Sequence, residues 1–192
     1  MKFIKTPLKG AYVIEPAPFV DHRGIFARTF CKKEFLSINH TKEIVQINYS
    51  ATRQKGSVRG LHYQLPPTAE IKIVRCINGS VFDVIIDLRK DSPTFLKWFG
   101  AILSKENMKM LYVPEGFAHG FQALENNSDL MYFTTQYYSQ ENERGVNCKD
   151  PAVSIEWPLE IADISPKDKN HLMISSDFEG VDINTDGDKK QH

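Results

Sequence analysis

The dipeptide Asn78-Gly79 constrains the fold of this chain more than any other feature, because it separates two runs rich in apolar and β-branched residues. The runs extend from Ile71 to Ile77 and from Ser80 to Leu88. A type I′ turn requires positive φ at both central residues, and Asn-Gly meets that requirement at low cost. The sequence therefore predicts two antiparallel strands joined by a tight hairpin turn.

Short segments of similar character recur along the chain, most densely from residue 43 to 138, with turn residues between them. The further strand candidates are Tyr12 to Glu15, Ile25 to Phe30, Ile44 to Ser50, Val58 to Gln64, Phe99 to Leu103, Lys109 to Val113, Gly120 to Ala123 and Leu130 to Tyr138. Short helices are expected at Lys32 to Ser37, at Ser104 to Asn107 and after Ser165. The pattern predicts an all-β fold, a closed sandwich or barrel such as the double-sheet jelly roll, with short peripheral helices.

The length of 192 residues favours a single domain, and no repeat or internal linker divides the chain. We place this domain at residues 1–181. The remaining stretch, 182–192, is too polar to contribute to a core. It is predicted to form a mobile tail.

Charge and cysteine content argue against several classes of protein. Lys plus Arg number 24 and Asp plus Glu number 24, whereas nucleic-acid binding draws its affinity from clustered excess positive charge. The chain contains no apolar run long enough for a signal peptide or a membrane span. Cys31, Cys76 and Cys148 are widely spaced without a C-x-x-C motif, so neither a disulfide framework nor a zinc cluster is expected. We expect a cytoplasmic protein with no membrane or nucleic-acid partner.

His62 lies in the strand candidate Val58 to Gln64, whose alternation places His62 and Gln64 on one face. A strand face that carries these two side chains makes sense if it lines a cavity. From this segment alone, a surface or edge histidine is the simpler interpretation.

His119 lies in the segment PEGFAHGF, residues 114–121, which resembles the second motif of the cupin superfamily. In metal-binding cupins the first motif supplies His-x-His and a Glu, because a divalent ion needs three or four convergent ligands. Here the second position after His62 is Gln64, so that ligand is missing. A metal-dependent cupin oxygenase therefore remains only an alternative.

Five motifs occur in order along the chain. They are DHRGIF (21–26), RGLHYQ (59–64), DLRKDSPT (87–94), PEGFAHGF (114–121) and EWP (156–158). Together they resemble the signature of the dTDP-4-dehydrorhamnose 3,5-epimerase family over about residues 5 to 170. The resemblance implies a cupin-like jelly roll without cofactor or metal, and a homodimer in which a strand of one subunit completes the partner's sheet. It also implies a nucleotide diphosphate-linked 4-keto-6-deoxy sugar as substrate and a role in making a deoxysugar for a cell-surface polysaccharide.

By this resemblance His62 is the catalytic base, Asp168 its partner, Lys72 the group that stabilises the enolate oxygen, and Tyr132 the proton donor. An imidazole suits proton transfer near neutral pH. Each assignment has a simpler competitor: Asp168 fits the first turn of a helix capped by Ser165, Lys72 a solvated strand residue, and Tyr132 an ordinary barrel aromatic. Alternation in Leu130 to Tyr138 gives a face of Tyr132, Thr134, Gln136 and Tyr138, which favours a wet cavity.

The resemblance also implies residues that bind the nucleotide and the sugar, with Tyr138 stacking on the base and basic residues on the diphosphate. The predicted binding residues are Arg23, Arg28, Gln46, Asn48, Arg59, His119, Tyr138, Glu143 and Lys167. At Arg28 the family usually has a glutamate, so base identity and sugar specificity stay open. The alternatives are a relative that inverts only C3 or only C5 or takes a CDP- or GDP-sugar and, more distantly, a non-catalytic sugar-binding barrel.

Overall fold

The computed structural model describes residues 1–183 and confirms the all-β class. Its strands are β1 (Lys2–Lys5), β2 (Tyr12–Glu15), β3 (Phe19–Asp21), β4 (Gly24–Phe26), β5 (Gln46–Thr52), β6 (Ser57–Gln64), β7 (Lys72–Asn78), β8 (Ser80–Asp87), β9 (Trp98–Ser104), β10 (Met110–Val113), β11 (Phe117–Ala123), β12 (Ser128–Thr134), β13 (Glu143–Gly145) and β14 (Asp163–Ile164). Two short helices, α1 (Lys32–Phe35) and α2 (Pro166–Lys169), and a 3₁₀ turn at Leu36–Ile38 lie at the periphery. None of the helices within these residues is long and apolar enough to cross a membrane.

The strands form two stacked sheets, as expected for a jelly roll. The first has the order β1-β2-β10-β7-β12-β5, and the second has the order β13-β6-β11-β8-β9 with β14 added in parallel beside β6. The strands β3 and β4 form a separate two-stranded hairpin. Such an arrangement buries the inner face of each sheet against the other.

The prediction of a hairpin at Asn78-Gly79 is wrong. β7 pairs with β10 and β12 in the first sheet, whereas β8 pairs with β9 and β11 in the second. Gly79 has a φ of 67°, so the dipeptide makes a sharp corner that carries the chain from one sheet to the other. Both runs are nearly continuously buried, which is typical of central strands with a neighbour on each side rather than of two strands that pair only with each other.

Other boundaries differ from prediction for local reasons. The segment Ser104 to Asn107 is a turn and not a helix, because the two side chains accept each other's backbone N–H at 3.1 and 3.0 Å. β12 ends at Thr134, four residues before the predicted Tyr138. The strands β1, β3, β13 and β14 were not predicted. The helices near Lys32 and after Ser165 are present as α1 and α2.

The main core lies between the sheets, where Val74 and Leu130 of the first sheet meet Ile85 and Phe121 of the second. A second cluster lies on the outer face of the second sheet, where the segment that follows β13 covers residues such as Leu61. Val181, the end of the predicted domain, is 4% exposed in this cluster and bonds to the backbone at Leu88. Ile183 also packs against it. Residues 184–192, most of the predicted tail, lie outside the described part of the chain.

Candidate active site

The inner faces of the two sheets change from apolar to polar at one end of the sandwich. Along β12 the inward residues pass from Leu130 to Tyr132, and along β11 from Phe121 to His119. A cleft of about 570 Å³ opens there, and a second hollow of about 600 Å³ adjoins it. Both are lined by His62, Lys72 and Tyr132, so these residues lie where the two parts meet. Together the two parts offer room for an elongated ligand.

His62 of β6 and Asp168 of α2 form a hydrogen-bonded pair in this cleft, with 2.6 Å between Nε2 and Oδ1. Ser165 caps α2 by accepting the Asp168 backbone N–H at 3.1 Å, and Pro166 occupies the first helical position. Asp168 is therefore both a first-turn helix residue and the partner of the histidine. The helix start fixes the position of the carboxylate.

The surroundings of Asp168 hold its carboxylate in the ionised form. Burial alone would raise its pKa, but the hydrogen bond and charge of His62 and the Gly60 backbone N–H, 3.1 Å from Oδ2, lower the pKa to about 2. An ionised Asp168 accepts from Nε2–H of His62, which leaves Nδ1 of a neutral imidazole with its lone pair. The pair has the geometry of a base with an orienting carboxylate.

Lys72 and Tyr132 complete the polar end of the inner faces. Lys72 is 9% exposed as a residue, and its ammonium lies 3.1 Å from a Glu70 carboxylate oxygen and donates to the His62 carbonyl at 3.4 Å. Burial raises the pKa of Tyr132, so its phenol is protonated near neutral pH. The cleft thus brings together a histidine–carboxylate pair, an ammonium group and a protonated phenol.

Next to His62 in the sheet register stands His119, which forms a second histidine–carboxylate pair. Its Nε2 lies 2.8 Å from Oδ1 of Asp83, a fully buried residue on β8. Burial raises the pKa of Asp83, and its Oδ2 has no hydrogen-bond partner among the described residues. Sequence reasoning missed Asp83, although an aspartate in the middle of the apolar run Ser80 to Leu88 was a usable signal.

Gln64 acts as a structural anchor. Its amide nitrogen donates to the carbonyls of Thr68 and Tyr137, and its oxygen accepts the Ser139 N–H at 2.6 Å. These three hydrogen bonds hold together the loops around the hollow. The residue that replaces the second cupin histidine therefore fixes the rim of the cleft.

Most of the predicted binding residues line the same cleft. Those in the 570 Å³ cleft are Arg59, His119 and Lys167, and those in the adjoining hollow are Gln46, Asn48, Tyr138 and Glu143. Glu143 accepts from the Tyr138 hydroxyl at 2.9 Å and pairs with Lys167. Within residues 1–183, Arg53 and Arg59 line the cleft without a carboxylate partner, which gives it the positive charge that a diphosphate requires.

Arg23 and Arg28 lie elsewhere and do not line the cleft of their own chain. Arg23 pairs with Asp21 at 2.6 Å on the β3–β4 hairpin, and Arg28 follows the hairpin and pairs with Glu34 at 2.7 Å. Four apolar side chains of the hairpin are between 64% and 75% exposed, namely Phe19, Val20, Ile25 and Phe26. The hairpin is thus an exposed apolar surface that carries one of the two arginines.

Comparison with known proteins identifies a family and close relatives. The family model described as dTDP-4-dehydrorhamnose 3,5-epimerase matches residues 5–176, a stretch that includes every predicted site residue. The dTDP-4-dehydrorhamnose 3,5-epimerase of Shigella flexneri is 46% identical over 171 residues, which cover 88% of this chain and 94% of that protein.

Solved structures of similar proteins contain related ligands. A dTDP-4-dehydrorhamnose 3,5-epimerase from Bacillus anthracis with TDP and pyrophosphate bound is 40% identical, with a TM-score of 0.87 over 90% of this chain and 99% of that one. A dTDP-6-deoxy-D-glucose-3,5-epimerase from Legionella pneumophila in complex with dTDP-4-keto-L-rhamnose is 41% identical, with a TM-score of 0.85 over 90% of this chain and 92% of that one.

Proposed function

Because the chain belongs to the dTDP-4-dehydrorhamnose 3,5-epimerase family and is an isomerase acting on a sugar nucleotide, we propose that it inverts both C3 and C5 of a dTDP-linked 4-keto-6-deoxyhexose. The substrate would be dTDP-4-dehydro-6-deoxy-D-glucose and the product dTDP-4-dehydro-L-rhamnose, a precursor for a cell-surface polysaccharide. The observation that carries this proposal is the His62–Asp168 pair, which faces a cleft that it shares with Lys72 and Tyr132.

The proposed chemistry follows from the ketone at C4, which acidifies the neighbouring C–H bonds at C3 and C5. His62 takes a proton from one of these carbons. The C–H electron pair forms a double bond to C4, and the Lys72 ammonium stabilises the negative charge that develops on the enolate oxygen. Tyr132 then donates a proton to the same carbon from the opposite face, and the ketone re-forms. One proton leaves and one arrives at each carbon, so the reaction is redox-neutral and no cofactor is proposed.

Asp168 supports this cycle without contacting the reacting carbon. Its ionised carboxylate holds the Nε2–H tautomer of His62 and stabilises the imidazolium that forms when Nδ1 takes the proton. Solvent exchange at His62 and Tyr132 resets both groups for the second carbon.

We propose that the positive part of the cleft holds the diphosphate and that Tyr138 stacks on the base. Arg59 and Lys167 supply the cationic donors, and Gln46, Asn48 and His119 contact the sugar and nucleotide. The relatives from Bacillus anthracis and Legionella pneumophila, which bind TDP and a dTDP-sugar, support a thymidine nucleotide for this chain.

We further propose a homodimer in which the β3–β4 hairpin seats on the partner subunit. Four large exposed apolar side chains on so short an element are costly in water unless another surface covers them. Strand exchange would also carry Arg23 and Arg28, which do not line the cleft of their own chain, to the partner's nucleotide. We expect Phe26→Asp to convert a dimer to a monomer in sedimentation velocity, and a monomeric wild-type protein would contradict this part of the proposal.

Solvent deuterium exchange tests the epimerase proposal. In D₂O we expect dTDP-4-keto-6-deoxyglucose to gain deuterium at C3 and C5, and His62→Ala to lower the rate about 10²- to 10⁴-fold. Tyr132→Phe should still permit loss of the proton while slowing the appearance of the inverted sugar. No exchange above the His62→Ala level would contradict the assignment.

The same experiment with other nucleotide sugars addresses the departure at Arg28. Exchange at one carbon only would indicate a 3- or 5-mono-epimerase, and faster exchange with a CDP- or GDP-sugar would move the specificity away from thymidine. Binding without exchange would favour a sugar-binding barrel. Exchange that depended on stoichiometric iron would favour the metal-dependent cupins.

A further inference from the structure

A third titratable side chain, His171, lies beside the His62–Asp168 pair and has no role in the chemistry proposed above. Its Nε2 is 3.6 Å from Oδ1 of Asp168, and its ring stands edge-on to the His62 ring with 5.6 Å between centroids and 78° between planes. This Nε2 is buried and has no hydrogen-bond partner among the described residues. A buried, unpaired ring nitrogen that faces a carboxylate is costly unless something occupies it.

The loop after α2 holds His171 in this position. A Cβ at Gly145 of β13 would lie 2.2 Å from His171 Nε2, so the ring rests directly on the backbone of a glycine. The Asn147 side chain donates to the His171 carbonyl at 3.0 Å and also to the Lys169 carbonyl. Contacts with neighbouring residues therefore fix the position of the His171 ring.

The three side chains present one ligand atom each, and these atoms all lie within 4.8 Å of one another. Bonds of about 2.0–2.2 Å in a tetrahedral zinc site place neighbouring ligand atoms about 3.3 Å apart. The two observed separations from Asp168 Oδ1, 2.6 Å to His62 Nε2 and 3.6 Å to His171 Nε2, lie on either side of that value. Metal binding would require the side chains to move until all three separations approach this value.

We propose that His62, Asp168 and His171 form a binding site for a divalent transition metal of the zinc class, and that the bound metal inhibits the enzyme. Two imidazoles and one carboxylate are a ligand set that zinc uses in sites with an open fourth position, whereas magnesium and calcium prefer oxygen ligands. The open position would take water from the cleft that His62 and Asp168 line.

Inhibition follows from the tautomer of His62, and this step rests on the proposed function. A metal at Nε2 displaces the proton that Nε2 donates to Asp168, and a neutral metal-bound imidazole carries its one proton on Nδ1. Nδ1 then has no lone pair with which to remove a proton from the sugar. The metal would also take the Asp168 oxygen that stabilises the imidazolium.

Zinc titration of the full chain without substrate tests the site independently of the epimerase proposal. By isothermal calorimetry we expect one zinc ion per chain, with binding at least about 10-fold weaker in His171→Asn. Gly145→Ala keeps all three ligands but places a methyl where the ring lies, and should weaken zinc binding as well. His22→Asn, which removes an exposed histidine outside the cluster, should bind zinc as the wild type does. Thermal unfolding of each variant shows that it is folded.

Equal zinc affinity in the wild type and in both cluster variants, or no zinc binding to the wild type, would overturn the site. Zinc that binds at the cluster without slowing deuterium exchange would overturn the inhibition. A protein that binds zinc through His171 but gives no exchange with any nucleotide sugar would retain the site and reject the proposed function. A protein with exchange that zinc slows in the wild type and not in His171→Asn supports both.

Discussion

Two histidine–aspartate pairs stand on neighbouring strands of the second sheet, yet their surroundings differ. His62 and His119 are directly opposite in the register of β6 and β11, and their hydrogen bonds to Asp168 and Asp83 measure 2.6 and 2.8 Å. The His62 side chain is 30% exposed, whereas that of His119 is 8% exposed. Pairs of the same composition thus occupy the mouth and the wall of one cleft.

The two carboxyl groups differ in the direction of their pKa shift, and their second oxygens differ in hydrogen bonding. Oδ2 of Asp168 accepts the Gly60 N–H, and the pKa of Asp168 is about 2. Oδ2 of Asp83 has no partner among residues 1–183, and burial raises the pKa of Asp83. An environment that lowers one carboxyl pKa and raises the other assigns different roles to chemically equal groups. The Asp168 carboxylate, with its lowered pKa, is suited to stabilise an imidazolium on His62, and the buried His119–Asp83 pair is suited to hold the wall of the cleft.

Removing the charge of each carboxylate tests this contrast, and here we expect the largest effect. Asp168→Asn places an amide opposite His62 and loses the negative charge that favours the imidazolium, so kcat should fall about 10²- to 10⁴-fold. Asp83→Asn removes a charge that burial already disfavours, so kcat should fall less than about 10-fold. Initial rates of inversion measured by NMR compare the two variants. Equal losses of kcat would show that the two pairs act as one unit.

A third aspartate sharpens the comparison through the pH dependence of stability. Asp87 lies on the same strand as Asp83 and is equally buried, but Arg89, Ser92 and Thr94 donate to it. Burial alone would raise the pKa of Asp87, and these hydrogen bonds lower it instead. The pair with Arg89 therefore stabilises the fold above the unfolded pKa of about 3.9 and is lost as the pH falls through the lower native value.

We expect Asp87→Asn to lower the free energy of unfolding by about 2 kcal/mol at pH 7, with a smaller difference from the wild type near pH 3. Asp83 should behave in the opposite sense. Because its native pKa is raised, the wild type loses stability relative to Asp83→Asn as the pH rises from about 3.9 to that raised value. Urea unfolding at several pH values measures both differences. Parallel pH dependence in the two variants would contradict the distinction between the carboxylates.

Local patterns predicted the parts of the fold that depend on local preference. The alternation in β6 and the apolar runs of β7 and β8 follow from short stretches of sequence. The pairing of strands does not: the Asn78-Gly79 corner has the turn chemistry of a hairpin, and only the contacts of each strand with distant neighbours show that it joins two sheets. A dipeptide restricts the backbone angles at one point, but it does not specify whether the two strands that flank it pair with each other.

The candidate site shows the same limit. Asp168 lies 106 residues from His62, and its own segment indicates only a helix start, so its pairing with His62 was expected from the family resemblance and not from spacing. His171 follows in a polar segment without a local signal. Arg23 was assigned to the site by the same resemblance, and the structure of one chain places it on the outer hairpin. Residues that meet only through tertiary contacts leave no periodic trace in the sequence.

The smallest effect is expected at His119, the member of the His119–Asp83 pair that lines the cleft. If His119 contacts the substrate equally in the ground and transition states, its loss weakens binding without changing the chemical step. We expect His119→Asn to raise KM about 10-fold, which corresponds to about 1.4 kcal/mol, and to change kcat less than about threefold. Steady-state kinetics with the dTDP-sugar separate the two constants, and Asp83→Asn serves as the control for a disturbed wall. If the turnover rate instead fell by about two orders of magnitude, the loss expected for a proton-transfer group, His119 would take part in that transfer. The distinction between a reactive His62–Asp168 pair and a structural His119–Asp83 pair would then be wrong.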